Sequence, residues 1–534
     1  MKLPFQAEEM TSPYEFKGRI PVKHAIPLGI QHVLAMFVGN LTPLMIICGA
    51  CGISTENPAL YVTLLQNAML VAGLVTLVQL YSIGPIGGQV PIIMGTSSGF
   101  LGVMRSVAAA MGGGVVAYGA ILGASIIGGI FETVLGFFLK PLRKLFPPVV
   151  TGTVVLAIGL SLISVGVNSF AGGSGAKAFG SAENLFVGFA VLAVIVALKH
   201  FTKGISSTAS ILFGIVFGYL LCAIMDTFIL TTGMDAEGAV FTKSWVINWS
   251  RIRESAWLSF PKLFPVKPVF RLGAILPISI MFIVTAVETV GDTAGCIEGG
   301  MGREATDKEL SGAVTCDGLG STLAAFFGVL PNTSFSQNVG LVAMTKVVNR
   351  FALSVGAVFL VLCGLSPKLA AVVSIMPQSV LGGAAVMMFA SIAISGIQLI
   401  TKYGITNRTI TIVSVALGVG YGLGATAGAV AGLGVGVNLI FGGSGIVPAA
   451  LLAIVLNLII PKTPEDEAAE AAAASLAALT AQNLENAAAP ADPWDTPAQP
   501  QETWQTPPQG TWNDPPQETW QTPAAPPEEP QDPQ

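Results

Sequence analysis

Long apolar runs separated by short polar stretches fill the chain between residues 27 and 460. A helix needs about 20 apolar residues to cross the hydrocarbon core of a bilayer. On that criterion the sequence predicts fourteen membrane segments, of which the third and the tenth are short and interrupted by polar residues. The predicted segments are 27–48, 58–81, 90–110, 115–139, 147–167, 183–199, 207–231, 272–297, 308–330, 337–350, 351–366, 368–400, 408–430 and 445–460. They divide into two halves of seven, and the odd number inverts the second half relative to the first.

The two interrupted segments share a proline and a cluster of small hydroxyl residues ahead of a short apolar piece. The first stretch is GPIGGQVPIIMGTSSGF (84–100), and the second is GVLPNTSFSQNVG (328–340). Interrupted segments at matching positions of two halves indicate a binding site near the middle of the membrane in a transporter. Non-helical backbone is tolerated at that depth only inside protein or beside a cavity. We therefore predict that both stretches line a site for a solute, although an ordinary outer loop is the alternative for 329–336.

Composition agrees with a membrane protein and excludes several other classes. Of the 534 residues, 52% are hydrophobic and only 10% are charged, whereas soluble proteins carry about 25% charged residues. The net charge is -5 and the chain has no basic domain, so we expect a lipid bilayer and no nucleic acid around it. Neither a zinc-type cluster of cysteines and histidines nor a nucleophile motif occurs in the sequence. We therefore predict no metal, no cofactor and no catalytic residues, and we do not expect an enzyme.

The distribution of positive charge predicts the orientation. With a cytoplasmic N-terminus, sixteen Lys and Arg residues fall at the inner ends of the segments, and only Arg105, Lys177 and Lys368 fall in the short outer loops. Cytoplasmic loops carry such an excess, so we predict a plasma (inner) membrane protein with both termini in the cytoplasm. The stretch 232–271, with six basic residues and three tryptophans, is the exception, and we place it outside as a hairpin at the membrane interface.

Ionisable residues inside the predicted segments are candidates for function, because a charge in the membrane is costly. Glu288 and Asp292 lie four residues apart in the eighth segment, and therefore one turn apart on one helix face. Two carboxylates that close in a low-dielectric medium resist ionising together, which suits proton exchange or the binding of a neutral polar ligand. Asp317 is the acidic residue of a later segment. His32 and Glu132 stand alone in the first and fourth segments, where a single polar residue is more often structural.

Four short motifs resemble the nucleobase–ascorbate transporter family, also called nucleobase:cation symporter-2. QNVGLVAMTK (337–346) fits the family signature, which is Gln, Glu or Pro, then Asn, any residue, Gly, four of any kind, Thr, and Arg, Lys or Gly. QHVLAMFVGN (31–40) is similar to the first helix of the family, and ETVGD (288–292) and CDGLGS (316–321) are similar to its eighth and ninth. The resemblance covers roughly residues 20–460. It implies two inverted seven-helix repeats, arranged as a core and a gate domain, with a short strand before a half-helix in segments three and ten.

The resemblance also implies residues that bind substrate. Glu288 matches a glutamate that hydrogen-bonds the ring N–H edge of a nucleobase. Gln337 matches a second residue that contacts the base, and Asn338 beside it supports function. In the third segment the aromatic residue stands later than is common in the family, so either Phe100 or the backbone near Ser98 is expected to face the base.

Three further residues match positions that the family associates with the cation or with affinity. Asp292 and Asp317 match acidic positions linked to activity and cation coupling, and His32 matches a first-helix histidine that affects affinity. Uracil carriers of the family tend to have Glu where this chain has Gln337 and His where it has Asp292, so the sequence resembles the xanthine and uric acid branch. A glutamine offers both a donor and an acceptor to the edge of an oxopurine.

We therefore predict an all-α polytopic membrane protein that imports a purine nucleobase, xanthine or urate, with a cation by alternating access. H+ is preferred over Na+ as that cation, and the resemblance implies a homodimer. A uracil permease and an anion exchanger of the same fold remain alternatives. The exchanger is expected to have a cytoplasmic regulatory domain after its last segment, where this chain has a low-complexity tail.

Three regions follow from the composition along the chain. A cytoplasmic N-terminal segment covers 1–24, the transporter domain covers 25–462, and a cytoplasmic tail covers 463–534. The tail begins as an Ala/Glu-rich helix over 464–489 and continues as Pro/Gln-rich sequence with Thr-Trp pairs at 504, 512 and 520. Such sequence buries too little apolar surface to fold alone, so we predict disorder there. It is either a tolerated extension or a docking segment for a cytoplasmic partner.

Overall fold

The computed structural model describes residues 10–142, 145–173, 175–234, 239–402, 404–426, 428–434, 437–442, 445–473 and 475. The start of the predicted Ala/Glu-rich helix is helical, over Pro464–Ala473. The Pro/Gln-rich tail and its three Thr-Trp pairs, which we predict to be disordered, lie outside the described residues.

Helices dominate the chain up to residue 271. They are α1 (Val22–Ala50), α2 (Ile53–Glu56), α3 (Pro58–Tyr81), α4 (Leu101–Ala110), α5 (Gly114–Phe137), α6 (Leu139–Leu142), α7 (Pro148–Phe170), α8 (Ala182–Phe201), α9 (Ile205–Thr208), α10 (Ser210–Phe228) and α11 (Ser250–Glu254). Strand β1 (Met94–Thr96) precedes α4, and the strands β2 (Thr232–Met234) and β3 (Val240–Thr242) pair with each other as an antiparallel hairpin. That hairpin lies within the basic and Trp-containing stretch at 232–271.

The second part of the chain continues in the same way. Its helices are α12 (Leu272–Met301), α13 (Asp307–Phe326), α14 (Ser336–Thr345), α15 (Arg350–Gly364), α16 (Pro367–Ser374), α17 (Gln378–Thr401), α18 (Asn407–Val415) and α19 (Gly422–Ala425), followed by the helix Ile446–Ile459. A π-helical turn, Ala416–Tyr421, joins α18 to α19, and strand β4 (Asn332–Ser334) precedes α14.

Side chains at the helix starts explain several of these boundaries. Asn57 accepts a hydrogen bond from the backbone N–H of Leu60 (3.1 Å), and Pro58 occupies the first position of α3, where a missing N–H costs nothing. Thr306 and Glu309 form a reciprocal capping box at α13. Such caps satisfy backbone N–H groups that have no partner inside the helix.

Nine helices of the described residues are long and apolar enough to cross a membrane, or up to eleven if each of two bent helix pairs is one span. The multi-spanning architecture is therefore present, while the exact number of fourteen segments stays a prediction. One predicted segment, 368–400, is divided in the structure. Helix α16 ends at Ser374, and α17 begins after Pro377, because a proline cannot continue the hydrogen bonding of a preceding helix.

The two interrupted segments meet. Strands β1 and β4 pair in antiparallel register, with Met94 opposite Ser334 and Thr96 opposite Asn332. Every residue of both strands is buried. Each strand leads into a ten-residue helix, α4 or α14. Two polar chain interruptions that are far apart in sequence thus form one buried ribbon.

Candidate functional site

Side chains from neighbouring helices hold the ribbon in place. Asn40 of α1 accepts hydrogen bonds from the backbone N–H of Thr96 (2.8 Å) and from its hydroxyl (3.1 Å). Ser321 of α13 donates to the carbonyl of Asn332 and accepts from its N–H, both at 3.0 Å. These bonds satisfy backbone groups that a two-stranded ribbon leaves open. The ends of β1 and β4 are therefore fixed relative to α1 and α13.

The two acidic residues of α12 face the start of α14. The Ser334 hydroxyl donates to Asp292 Oδ2 at 2.7 Å, and the Ser336 hydroxyl lies 3.0 Å from the same oxygen. Ser336 also lies 3.4 Å from Glu288 Oε1. Glu288 is 6% exposed and Asp292 2%, so the pair is closed to solvent in this conformation. Helix α12 brings the two carboxyl groups together as their spacing predicts.

Asp317 joins the same cluster through a threonine. The Thr289 hydroxyl of α12 hydrogen-bonds Asp317 Oδ2 of α13 and lies 3.2 Å from the Ser334 hydroxyl. A continuous path of hydrogen bonds therefore runs from Asp317 through Thr289 and Ser334 to Asp292. The acids that the sequence picks out in two different helices thus form one connected group.

Among the described residues, two buried carboxylate oxygens of this cluster lack a hydrogen-bond partner: Glu288 Oε2 and Asp317 Oδ1. Within the described part of the chain, no ion pair neutralises either residue. A methyl group placed on Gly99 would lie 3.7 Å from Glu288 Oε2, so that oxygen faces the turn between β1 and α4. A buried carboxylate oxygen without a partner is costly, which makes this position a candidate for contact with a ligand.

His32 lies on the other side of α14. Its Nδ1 is 2.8 Å from Asn338 Oδ1, and both side chains are about 1% exposed. The bond links α1 to α14, while Nε2 of His32 and Nδ2 of Asn338 have no hydrogen-bond partner in the part of the chain that the structure describes. His32 does not join the hydrogen-bonded path of the three acids.

The remaining predicted residues occupy different environments. Gln337 is half-buried in the first turn of α14. Phe100 is fully buried, and its ring packs against Phe282 of α12 with ring centres 4.6 Å apart. Ser98 is half-buried, and its carbonyl accepts a bond from the N–H of Leu101. Whether these three residues contact substrate stays a prediction.

Glu132, which stands alone in the sequence, is a fourth buried acid and lies near the cluster in the structure. Glu132 of α5 is fully buried and accepts a bond from the Thr285 hydroxyl of α12 at 3.2 Å. Thr285 and Thr289 are spaced to face the same side as Glu288, but threonine is common in membrane helices, so neither is a signal by itself. Ser334 and Ser336 stand in the conspicuous polar stretch of the second half. The sequence does not indicate which acids these serines bind, because those contacts depend on how distant segments pack together.

The residues also limit what can be bound. Among the described residues no group of three His, Cys, Asp or Glu side chains is arranged to hold a metal ion. The cluster offers carboxylate oxygens, hydroxyls and the N-terminal ends of α4 and α14. The helix dipole at such an end favours an electronegative group. The arrangement suits a small polar molecule with both donors and acceptors, and protons.

Known proteins resemble this chain along most of its length. The family model Xan_ur_permease, described as a permease family, matches residues 23–427. The uric acid transporter UacT of Escherichia coli (strain K12) is 34% identical over 71% of this chain and 74% of that protein. The uric acid permease PucK of Bacillus subtilis (strain 168) is 33% identical over 80% of this chain and 94% of that protein. The xanthine permease XanP of Escherichia coli (strain K12) is 31% identical over 84% of this chain and 94% of that protein.

A solved structure, the transmembrane domain of a cyanobacterium bicarbonate transporter BicA, matches 85% of this chain and 100% of that chain with a TM-score of 0.48 and 14% identity.

Proposed function

This chain belongs to the nucleobase–ascorbate transporter family, and on that premise we propose that it carries an oxopurine, xanthine or urate, across the membrane together with a cation. Relatives that carry the names of uric acid and xanthine permeases support an oxopurine over uracil. Gln337 in place of an acidic residue supports the same choice, because its amide can pair with a ring that presents both a carbonyl and an N–H.

One observation carries the position of the substrate: the buried, unpartnered Oε2 of Glu288, which faces Gly99. An oxopurine presents N–H groups on one edge of its ring, and a carboxylate oxygen accepts such a group well. In the proposed complex Glu288 binds that edge. Gln337, together with Asn338 next to it, supplies contacts from α14, and the turn near Ser98 supplies backbone groups from β1 and α4.

Coupling to a proton is supported by the direction of the hydrogen bonds. A hydroxyl has only one proton to donate. Ser334 donates to Asp292 and Thr289 donates to Asp317, which leaves the 3.2 Å contact between the two hydroxyls without a proton. A proton added to Asp317 would let Asp317 donate to Thr289 and Thr289 donate to Ser334, so that every contact is satisfied. The path thus connects a protonated acid to an ionised one. In the proposed cycle, a proton held here binds and leaves together with the substrate, and His32 adjusts affinity through Asn338.

The transport step in this proposal is alternating access. The ribbon, α12 and α13 form the core that holds the substrate, and helices such as α7 and α17 form the gate along which the core moves. Orientation with both termini in the cytoplasm, assembly as a homodimer and the three regions 1–24, 25–462 and 463–534 are part of the same proposal. The excess of positive charge at the predicted inner ends supports the orientation.

Uptake of labelled xanthine, urate and uracil into cells without their own carriers tests the substrate. We expect oxopurine uptake that Glu288→Gln lowers at least about tenfold, because loss of a hydrogen bond to a charged group costs roughly 1.5–3 kcal/mol. Glu304→Gln, at an exposed loop position, is the control and should transport normally. Uptake of uracil alone would contradict the oxopurine assignment. Normal oxopurine uptake by Glu288→Gln at equal surface expression would contradict the binding site.

A further inference from the structure

Arg105 of the half-helix α4 lies between two cavities. One, of about 450 Å³, is lined by α4, by α7 at Ser161 and Ser164, and by the chain around Tyr421. The other, of about 320 Å³, is lined by the last turns of α1 and α7, the latter at Asn168. Among the described residues that line either cavity, Arg105 is the single charged group. Its guanidinium therefore sets the electrostatic character of both spaces.

Arg105 differs from Lys177 and Lys368, the two other basic residues of the short outer loops. Lys177 lies over the ring of Phe241 at 6.0 Å, and Lys368 lies over the ring of Trp257 at 4.4 Å. Half-buried Arg105 has neither an ion pair nor a ring contact within the described residues. A half-buried guanidinium without a counter-ion attracts an anion from solution more strongly than one that is neutralised.

The position of Arg105 relates the cavities to the binding cluster. Helix α4 begins beside Gly99, which faces Glu288, and Arg105 lies about 6 Å further along the helix axis. The carboxyl ends of α1 and α4 lie together, since Arg105 of α4 lines one cavity with the last turn of α1 and Gly114, the first residue of α5, donates to the carbonyl of Cys51, just after α1. The positive charge distribution predicts that this end faces outward. A solute that approaches the cluster between α4 and α7 from outside therefore passes Arg105.

A second polar group, which lines the larger cavity, has no hydrogen-bond partner among the described residues. The Ser161 Oγ of α7 is buried, lines the larger cavity and makes no hydrogen bond within the described residues. Arg105 is on the half-helix that starts at the ribbon, whereas Ser161 is on a helix of the proposed gate. A planar guanidinium can stack on a flat ring and donate paired N–H groups to a carbonyl edge. The hydroxyl opposite can donate or accept.

We propose that Arg105 and Ser161 form an outer subsite that captures the oxopurine as its monoanion before it reaches Glu288, so that the preferred substrate is a urate-type anion. This inference rests on the proposed function. Urate is a monoanion at neutral and slightly acidic pH, whereas xanthine is largely uncharged in slightly acidic medium. The two differ little in shape, so a subsite that senses charge separates them where a pocket that senses only shape does not.

The test compares initial uptake of labelled urate and xanthine in slightly acidic medium for the wild type, Arg105→Gln and Arg105→Lys, with Lys368→Gln as the matched control on the same face. We expect Arg105→Gln to raise the KM for urate at least about fivefold and to leave the KM for xanthine within about twofold. Arg105→Lys should restore most of the urate affinity, because it keeps the charge. Added salt should weaken urate capture by the wild type more than by Arg105→Gln, and Lys368→Gln should behave as the wild type.

Several results would overturn the subsite. They are an unchanged KM for urate in Arg105→Gln, an equal loss for both substrates, and no rescue by Arg105→Lys. If the wild type transports xanthine but never urate, the proposed function stands and the subsite is wrong. If the wild type transports no oxopurine, the proposed function fails. In that case calorimetric titration with urate of the purified wild type and of Arg105→Gln, both in nanodiscs, tests the subsite independently of transport. Equal urate affinity of the two proteins would overturn the subsite.

Discussion

Hydroxyl groups determine how the buried acids share protons, because each can donate only once. Ser336 lies 3.0 Å from Asp292 and 3.4 Å from Glu288, so at any moment it can donate to one of them and not to both. The other acid must then carry a proton itself or bind a different donor. In the proposed complex a substrate N–H at Glu288 is such a donor, and it leaves Ser336 with Asp292. The proposal therefore links substrate binding and the placement of the proton through one serine side chain.

Thr289→Val tests the path between Asp317 and Ser334, because it removes the one hydroxyl that joins them. Valine has nearly the shape of threonine but cannot hydrogen-bond, so Asp317 loses a buried partner. We expect uphill accumulation of substrate to fall at least about tenfold, in line with the roughly 1–3 kcal/mol cost of leaving a buried group unpaired. Exchange of labelled for unlabelled substrate should persist, because Glu288 is untouched. The measurement is the comparison of net uptake with exchange in proteoliposomes.

The control for that variant is Thr153→Val in α7, whose hydroxyl, among the described residues, donates to a carbonyl of its own helix at 2.6 Å. It should accumulate substrate normally, and Thr289→Ser should also retain coupling because the hydroxyl remains. If Thr289→Val accumulates substrate as the wild type does, the path through Thr289 carries no proton.

Single residues of the site are predictable from the sequence only where their chemistry is unusual for their position. Glu288, Asp292 and Asp317 stand out because acids are rare in apolar segments, and the structure brings them together. Thr289 and Ser321 are inconspicuous, since small hydroxyl residues fit any membrane helix. Their roles depend on contacts between distant segments, which a pattern along one chain does not contain.

At the level of elements, the close packing of α7 against α17 depends on glycine. A Cβ on Gly382 of α17 would lie 1.9 Å from the backbone nitrogen of Phe170 of α7. A Cβ on Gly396 would lie 2.4 Å from the backbone nitrogen of Leu156. The obstructing atoms belong to the backbone and cannot rotate away. Small residues let membrane helices approach this closely, so the two helices form one rigid unit of the proposed gate.

Gly382→Ala should therefore push α7 and α17 apart. We expect it to destabilise the protein by about 3 kcal/mol, the upper part of the usual cost of overpacking, and to lower the temperature at which purified protein loses its monodisperse peak in size-exclusion chromatography. Gly273→Ala in the first turn of α12 is the control, because a Cβ there meets nothing within 4 Å. It should be neutral or slightly stabilising. Equal behaviour of both variants would show that the close approach at Gly382 is not needed.

Element boundaries illustrate where the sequence pattern is informative and where it is not. The predicted segments 58–81 and 272–297 agree with α3 and α12 closely, because long uniform apolar runs have clear ends. The apolar pattern of the predicted segment 368–400 does not reveal the break between α16 and α17, because only residues 375–377 separate the two helices within a continuously apolar run. The pairing of β1 with β4 is seen in the structure but could not be predicted from the sequence. Strands of three residues give too little alternation to define a register.

For the whole molecule, an ion pair joins the two proposed moving parts at the end opposite to Arg105. Lys402, just after α17, pairs with Glu298 in the last turn of α12. In the predicted orientation this is the cytoplasmic end, while the cavities beside Arg105 are at the outer end. If the protein works by the proposed alternating access, we expect this ion pair to stabilise conformations in which α12 and α17 stay together at the inner end. Breaking it should shift the population toward conformations that open inward.

Burial lowers the pKa of Lys402 from its usual value to about 8, which makes the ion pair sensitive to pH. The ammonium is charged below that value, so the pair is present at neutral pH and is lost as the pH rises through about 8. We expect the outer side to close as that happens. The readout is the labelling of Ser164→Cys, an exposed position in the larger outer cavity, by an impermeant maleimide added outside. The six native cysteines are buried.

Lys402→Arg is the decisive comparison, because a guanidinium keeps its charge throughout this range. Maleimide reacts faster with thiols as pH rises, so the wild-type lysine and the arginine variant, both carrying Ser164→Cys, must be measured side by side. Their labelling ratio should be constant at neutral pH and should fall for the lysine form above about 8. Lys402→Met, which has no charge at any pH, should show low labelling throughout. A constant ratio, together with normal labelling of Lys402→Met, would mean that the pair between Lys402 and Glu298 does not control access, and that access depends on other contacts between the proposed core and gate, such as those of α12 with α7.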